Sequence, residues 1–529
     1  MSVASPQVTL LSLLEQDKAS APTDGFFTIP REQRTLSNVF EQRVAATPAA
    51  EFLWFPGHPW TTYADFHSDV RSISASLRAK GIGAGDRVCL LLPNSPWAPG
   101  ILMALWMNGS VAVPLNVDLM GPLLTDLVHR IEPAAFIADE AVTDRVDDGL
   151  RAELGERFLV APEDLTSNGS DDGVRPVVEA TAPAVILFTS GSTGPSKACV
   201  LSQHYCTYYT YAFVQGMGYS PDDTLYTCLP LHHVHALFTS FMAAVMSGAR
   251  LALAPKFSPA RVMNELAETG ATSFPTLGPM ASFLLAQPTS PVEQRYRLRL
   301  AHCIPPPARR EEFEARFRAP VVSALYGSTE ALIFPPRRDL GSNGGLTGPE
   351  PADWELAIVD DDMTPLPNNT VGELVGRPRR PGIMFDEYLG DSAGTLKALR
   401  GLWWHTGDRF TRDDDGLYYY VGRGRELLRR RGENVSAHEL EMLISGHEGV
   451  LEVAALGTVA AVGGEHDITV VAYGTEPGLT AESIGAFCQE KVPRFMRPDR
   501  ILIEREPLPK NASGKIDKLA VAEMITSDG

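Results

Sequence analysis

The chain has 529 residues, several times a single hydrophobic core, so more than one domain is expected; 44% hydrophobic and 21% charged residues suit a globular protein. Lys and Arg total 46 against 65 Asp and Glu, a formal net charge of −19, which argues against a nucleic-acid or anionic-membrane surface. Small molecules are therefore the expected partners, with no nucleic acid and no membrane, and an anionic ligand would rely on local backbone and a few cations.

At the N-terminus there is no basic leader, and the patch Leu10-Leu11-Ser12-Leu13-Leu14 is broken by Glu15, Asp17 and Lys18, so export is not expected. No run approaches the roughly 20 apolar residues that span a bilayer, and the expected address is the cytoplasm. Six scattered cysteines without a C-x-x-C pair read as reduced packing thiols. From Asp86, the apolar run Val88 to Leu92, a helix-like stretch from Pro96 to Met107 and the run Ser110 to Val113 ending at Pro114 predict a βαβ unit. Similar short β runs recur at Val185 to Phe188, Ala249 to Ala254 and Pro320 to Leu325, each delivering a Gly, Ser, Thr or Pro, so a layered α/β core follows.

Directly after Val185 to Phe188 comes Thr189-Ser190-Gly191-Ser192-Thr193-Gly194-Pro195-Ser196-Lys197. Gly191 and Gly194 let the backbone turn its N–H groups toward an anion, the hydroxyls of Thr189, Ser190, Ser192 and Thr193 add donors, and Lys197 adds a charge. Such a loop suits a polyphosphate, although Gly/Ser/Thr loops after strands are also ordinary turns. It is not a Walker A loop, because two residues rather than four separate the glycines and Ala198 follows Lys197.

Further on, Pro230-Leu231-His232-His233-Val234-His235-Ala236 invites a zinc reading, with His233 and His235 on one strand face, but no Cys or carboxylate lies nearby in the sequence. The segment Leu325-Tyr326-Gly327-Ser328-Thr329-Glu330 reads by itself equally well as a strand end capping a helix. In Asp413-Asp414-Asp415-Gly416, set between Phe410 and Tyr418 to Val421, an Asp-Gly pair predicts a hairpin whose acidic trio is a solvated turn. Gly422-Arg423-Gly424-Arg425 marks a domain boundary, dividing 1–424 from 425–529, and the second part opens on a helix-like Ala437 to Glu441. Because Met442 stands where H-E-x-x-H needs histidine, His438-Glu439 is no metalloprotease motif.

In order along the chain, these segments resemble the signatures of the adenylate-forming superfamily of acyl-CoA synthetases, adenylation domains and luciferases. The resemblance implies a large N-terminal domain of layered sheets and helices, a smaller mobile α+β C-terminal domain, and an active site in the cleft between them. By the same resemblance, residues 189–197 grip the β- and γ-phosphates of ATP. Tyr326 lies along the adenine beside Gly327 and Ser328, Thr329 touches the α-phosphate, and Glu330, with Thr189, holds Mg²⁺. Asp408 in Trp404-His405-Thr406-Gly407-Asp408 and Arg423, fifteen residues on, take the ribose, and His233 gates the acid pocket. Lys515 in Pro509-Lys510-Asn511-Ala512-Ser513-Gly514-Lys515-Ile516 is the catalytic cation, Arg425 sits at the hinge, and Arg429-Arg430-Arg431 approaches CoA unless it is merely a solvated turn. Two departures stand out: Pro195-Ser196 reverses the usual order in the loop, and Leu300-Ala301-His302-Cys303-Ile304-Pro305-Pro306-Pro307 replaces a Gly-Gly-Ala-Pro-like turn that lines adenine and acid. Ligases resembling those of carnitine and crotonobetaine share the second departure and are the nearest comparison.

The implied reaction is ATP-dependent adenylation of a small carboxylic acid followed by transfer to CoA, with ATP, Mg²⁺ and CoA as cofactor and co-substrates. Pocket candidates Tyr208, Tyr209, His233, Phe274, Thr276, Ala324 and Leu332 include aromatics that suit an aromatic or unsaturated acid, yet such residues line ordinary cores equally often. An amine acceptor, as in an ATP-dependent diazotase that activates nitrite, would keep every ATP motif. Retention of Lys515, Glu330 and Asp408 counts against a nucleotide-binding pseudoenzyme, while a free carrier protein and a homodimer stay open as partners.

Overall fold

The computed structural model describes residues 11, 24–165, 176–189, 196–285, 287–304, 307, 310–340, 345–423, 427–430, 433–447, 449–459, 466–509 and 516–527. Two compact units emerge. One comprises Met1–Val117, Leu127–Leu187 and Ala198–Gly422, the other Asp118–Asp126, Phe188–Lys197 and Arg423–Gly529. Among the described residues no helix is long and apolar enough to cross a membrane.

In the first unit, helix α1 (Leu36–Ala46) starts where the Thr35 side chain accepts from Asn38 N–H, and strand β1 (Glu51–Trp54) leads to α2 (Tyr63–Ala79), closed by a Thr62/Asp65 capping box. The expected βαβ unit follows as β2 (Arg87–Leu91), α3 (Ala98–Met107) and β3 (Val111–Pro114). All ten residues of α3 are buried, as befits a helix apolar on every side. Parallel to β2 and β3 run β4 (Ala135–Asp139), β5 (Phe158–Ala161) and β6 (Pro183–Thr189), and β7 (Lys197–Ser202) pairs beyond β6. Strands buried on both faces of a parallel sheet need continuous apolar runs, which Val88-Cys89-Leu90-Leu91 and Ala184-Val185-Ile186-Leu187 supply.

Helix α4 (Gln203–Met217) begins with Ser202 accepting from Tyr205 N–H, ends at Gly218 in the left-handed region, and buries every residue except Gln215. A Cβ on Gly216 would lie 2.3 Å from the carbonyl oxygen of Pro336, a backbone approach that glycine alone permits. Gly216→Ala is expected to lower stability by about 1–3 kcal/mol, read as a drop in the urea midpoint at unchanged m-value.

A second sheet has the order β12-β11-β10-β8-β9-β1, formed by β8 (Thr224–Thr227), β9 (Arg250–Leu253), β10 (Ser273–Thr276), β11 (Leu300–Cys303) and β12 (Val321–Val322). These neighbours are parallel, and Thr61–Thr62 adds an antiparallel edge to β1. Two sequence expectations need correction. The run Pro320 to Leu325 is a strand only at Val321–Val322, because Leu325 N–H turns back onto the Ser323 carbonyl and leaves the ladder. Nor do His233 and His235 share a strand face: Val234–Ala236 is an α turn, Leu237–Phe241 a π turn and Met242–Ser247 α again, since the apolar residues after Ala236 bury as a helix.

A short hairpin of β13 (Tyr326–Gly327) and β14 (Leu332–Phe334) precedes an antiparallel sheet. That sheet contains β15 (Leu346–Pro349), β16 (Trp354–Val359) and β17 (Gly372–Pro378); β18 (Glu387–Tyr388) instead pairs with β7, and β19 (Trp404–Arg412) and β20 (Leu417–Arg423) complete the order β15-β20-β19-β17-β16. Between β19 and β20 the expected hairpin turn is present: Asp413 Oδ1 accepts from the N–H of Asp415 at 3.0 Å and of Leu417 at 2.8 Å, with Gly416 at φ 79°. One carboxylate of the acidic trio thus organises the turn, and Asp414 accepts from Asn368 and Asn369.

Within the second unit, β21 (Leu427–Arg430) and β22 (Glu433–Ser436) form a hairpin, followed by α5 (Ala437–Ile444). Next come β23 (Glu452–Val459), β24 (His466–Tyr473) antiparallel to it, and β25 (Arg500–Glu504) parallel to β24. Its core gathers Val435, Leu440, Ile444, Ile468, Val470, Ile484 and Val492. The molecule is thus α/β with a larger N-terminal part and a smaller C-terminal α+β part. All six cysteines are buried free thiols, and burial pushes Cys488 up to about 11, as expected of packing residues.

Candidate functional site

Tyr326, Gly327, Ser328, Thr329 and Glu330 occupy one tight turn of the β13–β14 hairpin, so the helix-cap reading of this segment is wrong. Ser328 N–H donates to the Ala331 carbonyl at 2.8 Å, and a Cβ on Gly327 would press on Ala331 and Leu332 at 3.1 Å. Inside the turn the Ser328 hydroxyl donates to Glu330 Oε2 at 2.7 Å and accepts from Glu330 N–H at 3.1 Å. The other carboxylate oxygen, Oε1, accepts from the Tyr388 hydroxyl of β18 at 2.9 Å. Thr329 is fixed through its carbonyl, which accepts from Tyr205 of α4 at 3.1 Å. Glu330 is thereby a carboxylate with both oxygens aimed and lone pairs remaining, a donor set that suits a hard cation. Removing one of its two anchors in Tyr388→Phe is expected to weaken the hold on a divalent cation about 3- to 10-fold, the worth of one ordinary hydrogen bond, as read by a Mg²⁺ titration.

Tyr326 carries its ring edge-on to Phe410 at 4.8 Å, and its hydroxyl donates to Asp408 Oδ2 across 82 positions of sequence. Asp408 is 6% exposed. Its turn is built by neighbours on β17 and β19. Gly407, at φ 72°, donates its N–H to Glu373 Oε1 at 3.0 Å, and His405 Nδ1 lies 3.0 Å from Glu373 Oε2. The Thr406 hydroxyl donates to the Leu374 carbonyl at 2.7 Å and accepts from Asp408 N–H at 3.1 Å. The ladder register shifts between Glu373 and Val375, and such a bulge re-aims a side chain that a regular strand would bury or expose by strict alternation.

Other expected residues lie in varied settings. Thr189 ends β6, Lys197 opens β7 and Arg423 ends β20. Ser190, Gly191, Ser192, Thr193, Gly194, Arg425 and Lys515 lie outside the described residues. His233 caps the helical turn, half-buried, its ring centroid 4.4 Å from that of His232. Of the pocket candidates, Tyr208 donates to Asp353 Oδ2 at 2.8 Å, Phe274 packs edge-on to Tyr226 at 5.3 Å and Thr276 donates to the His302 carbonyl at 3.2 Å, so these three hold the core. Tyr209 packs between Tyr205 and Phe238. No motif points to Glu373, Tyr388 or Tyr205, the residues that brace Gly407, Glu330 and Thr329.

Residues 40–388 match the family model described as AMP-binding enzyme, and residues 439–515 match the AMP-binding enzyme C-terminal domain. The chain is similar to the crotonobetaine/carnitine–CoA ligase of Salmonella heidelberg, 26% identical over 492 residues, covering 86% of this chain and 92% of that protein. Among solved structures, o-succinylbenzoate CoA synthetase from Bacillus subtilis shares the fold with a TM-score of 0.80 at 20% identity, over 92% of this chain and 98% of that one. An amide bond synthetase from Marinactinospora thermotolerans shares it with a TM-score of 0.77 at 23% identity, over 92% and 99%.

Proposed function

The chain belongs to the AMP-binding enzyme family and is an adenylate-forming enzyme of the acyl-CoA-ligase type; on that premise we propose that it activates a small aromatic or unsaturated carboxylic acid with ATP and passes the acyl group to CoA. In the first step a carboxylate oxygen of the acid attacks the α-phosphorus, and the bond to pyrophosphate breaks. In the second, the CoA thiolate attacks the acyl carbon, and the C–O bond to AMP breaks. What supports this reading above all is the meeting of Tyr326 with Asp408, residues of two separate signature segments, together with the doubly anchored Glu330 of the first.

Each residue then has a distinct task. Residues 189–194 with Lys197 cradle the β- and γ-phosphates through backbone N–H groups and one cation. Tyr326, Gly327 and Ser328 border the adenine, while Asp408, set by Tyr326 and the Gly407 turn, accepts from the ribose hydroxyls, which Arg423 also serves. Thr329 donates to the α-phosphate and His233 borders the acid. Glu330 and Thr189 would hold magnesium, which neutralises phosphate charge when bound. Lys515 offsets the charge that builds between carboxylate and α-phosphate. Incubation with MgATP and a panel of carboxylic acids, with and without CoA, tests the reading by mass spectrometry. An acyl-CoA made only with CoA supports it, whereas AMP formation that needs nitrite and an aryl amine but ignores CoA replaces it with the diazotase reading.

A further inference from the structure

Strand β11 carries His302 in an otherwise apolar row: its register partners are Pro275 on β10 and Val322 on β12. The side chain is only 2% exposed, with Phe213 of α4 edge-on at 5.2 Å and the His235 ring at 4.7 Å. Nδ1 of His302 lies 3.0 Å from Nε2 of His235, whereas Nε2 of His302 has no hydrogen-bond partner among the described residues. Burial, and next the neighbouring His235, hold the pKa of His302 well below the ordinary histidine value, so the ring is neutral. A neutral imidazole with one nitrogen engaged has a single hydrogen bond left to make. Leucine would fill this space without burying an unpaired polar atom, so the imidazole is a cost to the fold alone.

Position supplies the second observation. His302 stands near the carboxyl end of a parallel strand, the end at which open α/β sheets hold ligands. It also stands in the Leu300–Pro307 segment that departs from the Gly-Gly-Ala-Pro-like turn. Opposite, the chain after His235 runs at once into the π turn Leu237–Phe241, where Thr239 donates its hydroxyl to the His235 carbonyl; single π turns inside helices concentrate at functional sites.

We infer that the His235–His302 pair forms the polar end of the acid pocket, and that His302 Nε2 hydrogen-bonds an uncharged hydroxyl, carbonyl or amide group remote from the acid's carboxylate. His302 is then a specificity-determining residue, and His235 a positioning residue that engages its other nitrogen. The inference rests on the proposed adenylation. A purely hydrocarbon acid would leave Nε2 unpaired, and a second carboxylate would find no positive charge on a neutral ring. A site built around a hydrogen bond rejects the analogue that lacks it far more strongly than a greasy pocket rejects one extra methylene.

ATP–pyrophosphate exchange tests this with matched acids: benzoic, cinnamic and short 2-enoic acids, each beside its hydroxyl- and amide-bearing analogue. The wild-type protein is expected to prefer a polar member at least about thirtyfold in kcat/KM, chiefly through KM. His302→Leu should bring that ratio within about threefold while exchange with the unsubstituted acid persists, and His302→Gln should restore part of the preference. Exchange without discrimination in the wild type, or a ratio untouched by His302→Leu, overturns the inference and leaves adenylation standing. No exchange with any acid overturns both.

Discussion

Lys515→Ala is expected to slow acyl-adenylate formation at least about a hundredfold, some 2.7 kcal/mol of transition-state stabilisation, while ATP binding changes little. An ammonium proposed to meet an oxygen whose negative charge grows only as the new bond forms should be missed in kcat rather than in ground-state affinity. The measurement is single-turnover pyrophosphate release at saturating MgATP and acid, set beside ATP affinity by titration calorimetry. An unchanged release rate, or a loss that appears wholly as weaker ATP binding, would remove Lys515 from its proposed role.

Glu330→Gln is the second large effect expected. The amide is nearly isosteric and can still engage Ser328 and Tyr388, the two hydroxyls that hold Glu330 at 2.7 and 2.9 Å, so the hairpin should stay folded. What disappears is the negative charge on the oxygen donor proposed to hold a hard cation. Adenylation should fall about a hundredfold, and the Mg²⁺ concentration for half-maximal rate should rise. A variant with the wild-type Mg²⁺ dependence would show that the carboxylate serves the hairpin alone. Comparison with Tyr388→Phe separates charge from aim, because that variant keeps the carboxylate and loosens only one anchor.

The layered core was legible because its strands and helices are locally consistent: Val88 to Leu92, Pro96 to Met107 and Ser110 to Val113 each match one element to within a few residues. The Asp413–Gly416 turn was equally plain, since an Asp-Gly pair between β-prone residues has few other uses. Misreadings arose where periodicity was too short to decide. Three histidines in four positions imitate a strand face, yet the buried run beyond them folds as helix and carries His235 with it. Pro320 to Leu325 has a β-prone composition, but only two residues find partners on β11.

Around the candidate site the balance differs. Tyr326, Glu330 and Asp408 could be named from segments of a few residues, because their motifs are local. The residues that hold them could not. Tyr388 lies 58 positions from Glu330, and Glu373 lies 34 from Gly407, so each contact comes from strand pairing rather than from any pattern within a window. His302 was visible only as a departure from a familiar turn; its meaning depends on His235 being 67 positions away in sequence and 3.0 Å away in space.

Acid-dependent exchange of labelled pyrophosphate into ATP, measured without CoA, tests the central claim most directly, because only a reversible acyl-adenylate links acid to label. We expect label to enter ATP when a suitable acid is present, to require Mg²⁺, and to fall at least about a hundredfold in Lys515→Ala. Acyl-CoA formation without any acid-dependent exchange, or ATP cleavage to ADP and phosphate with every acid, would contradict adenylation as the chemistry of this protein.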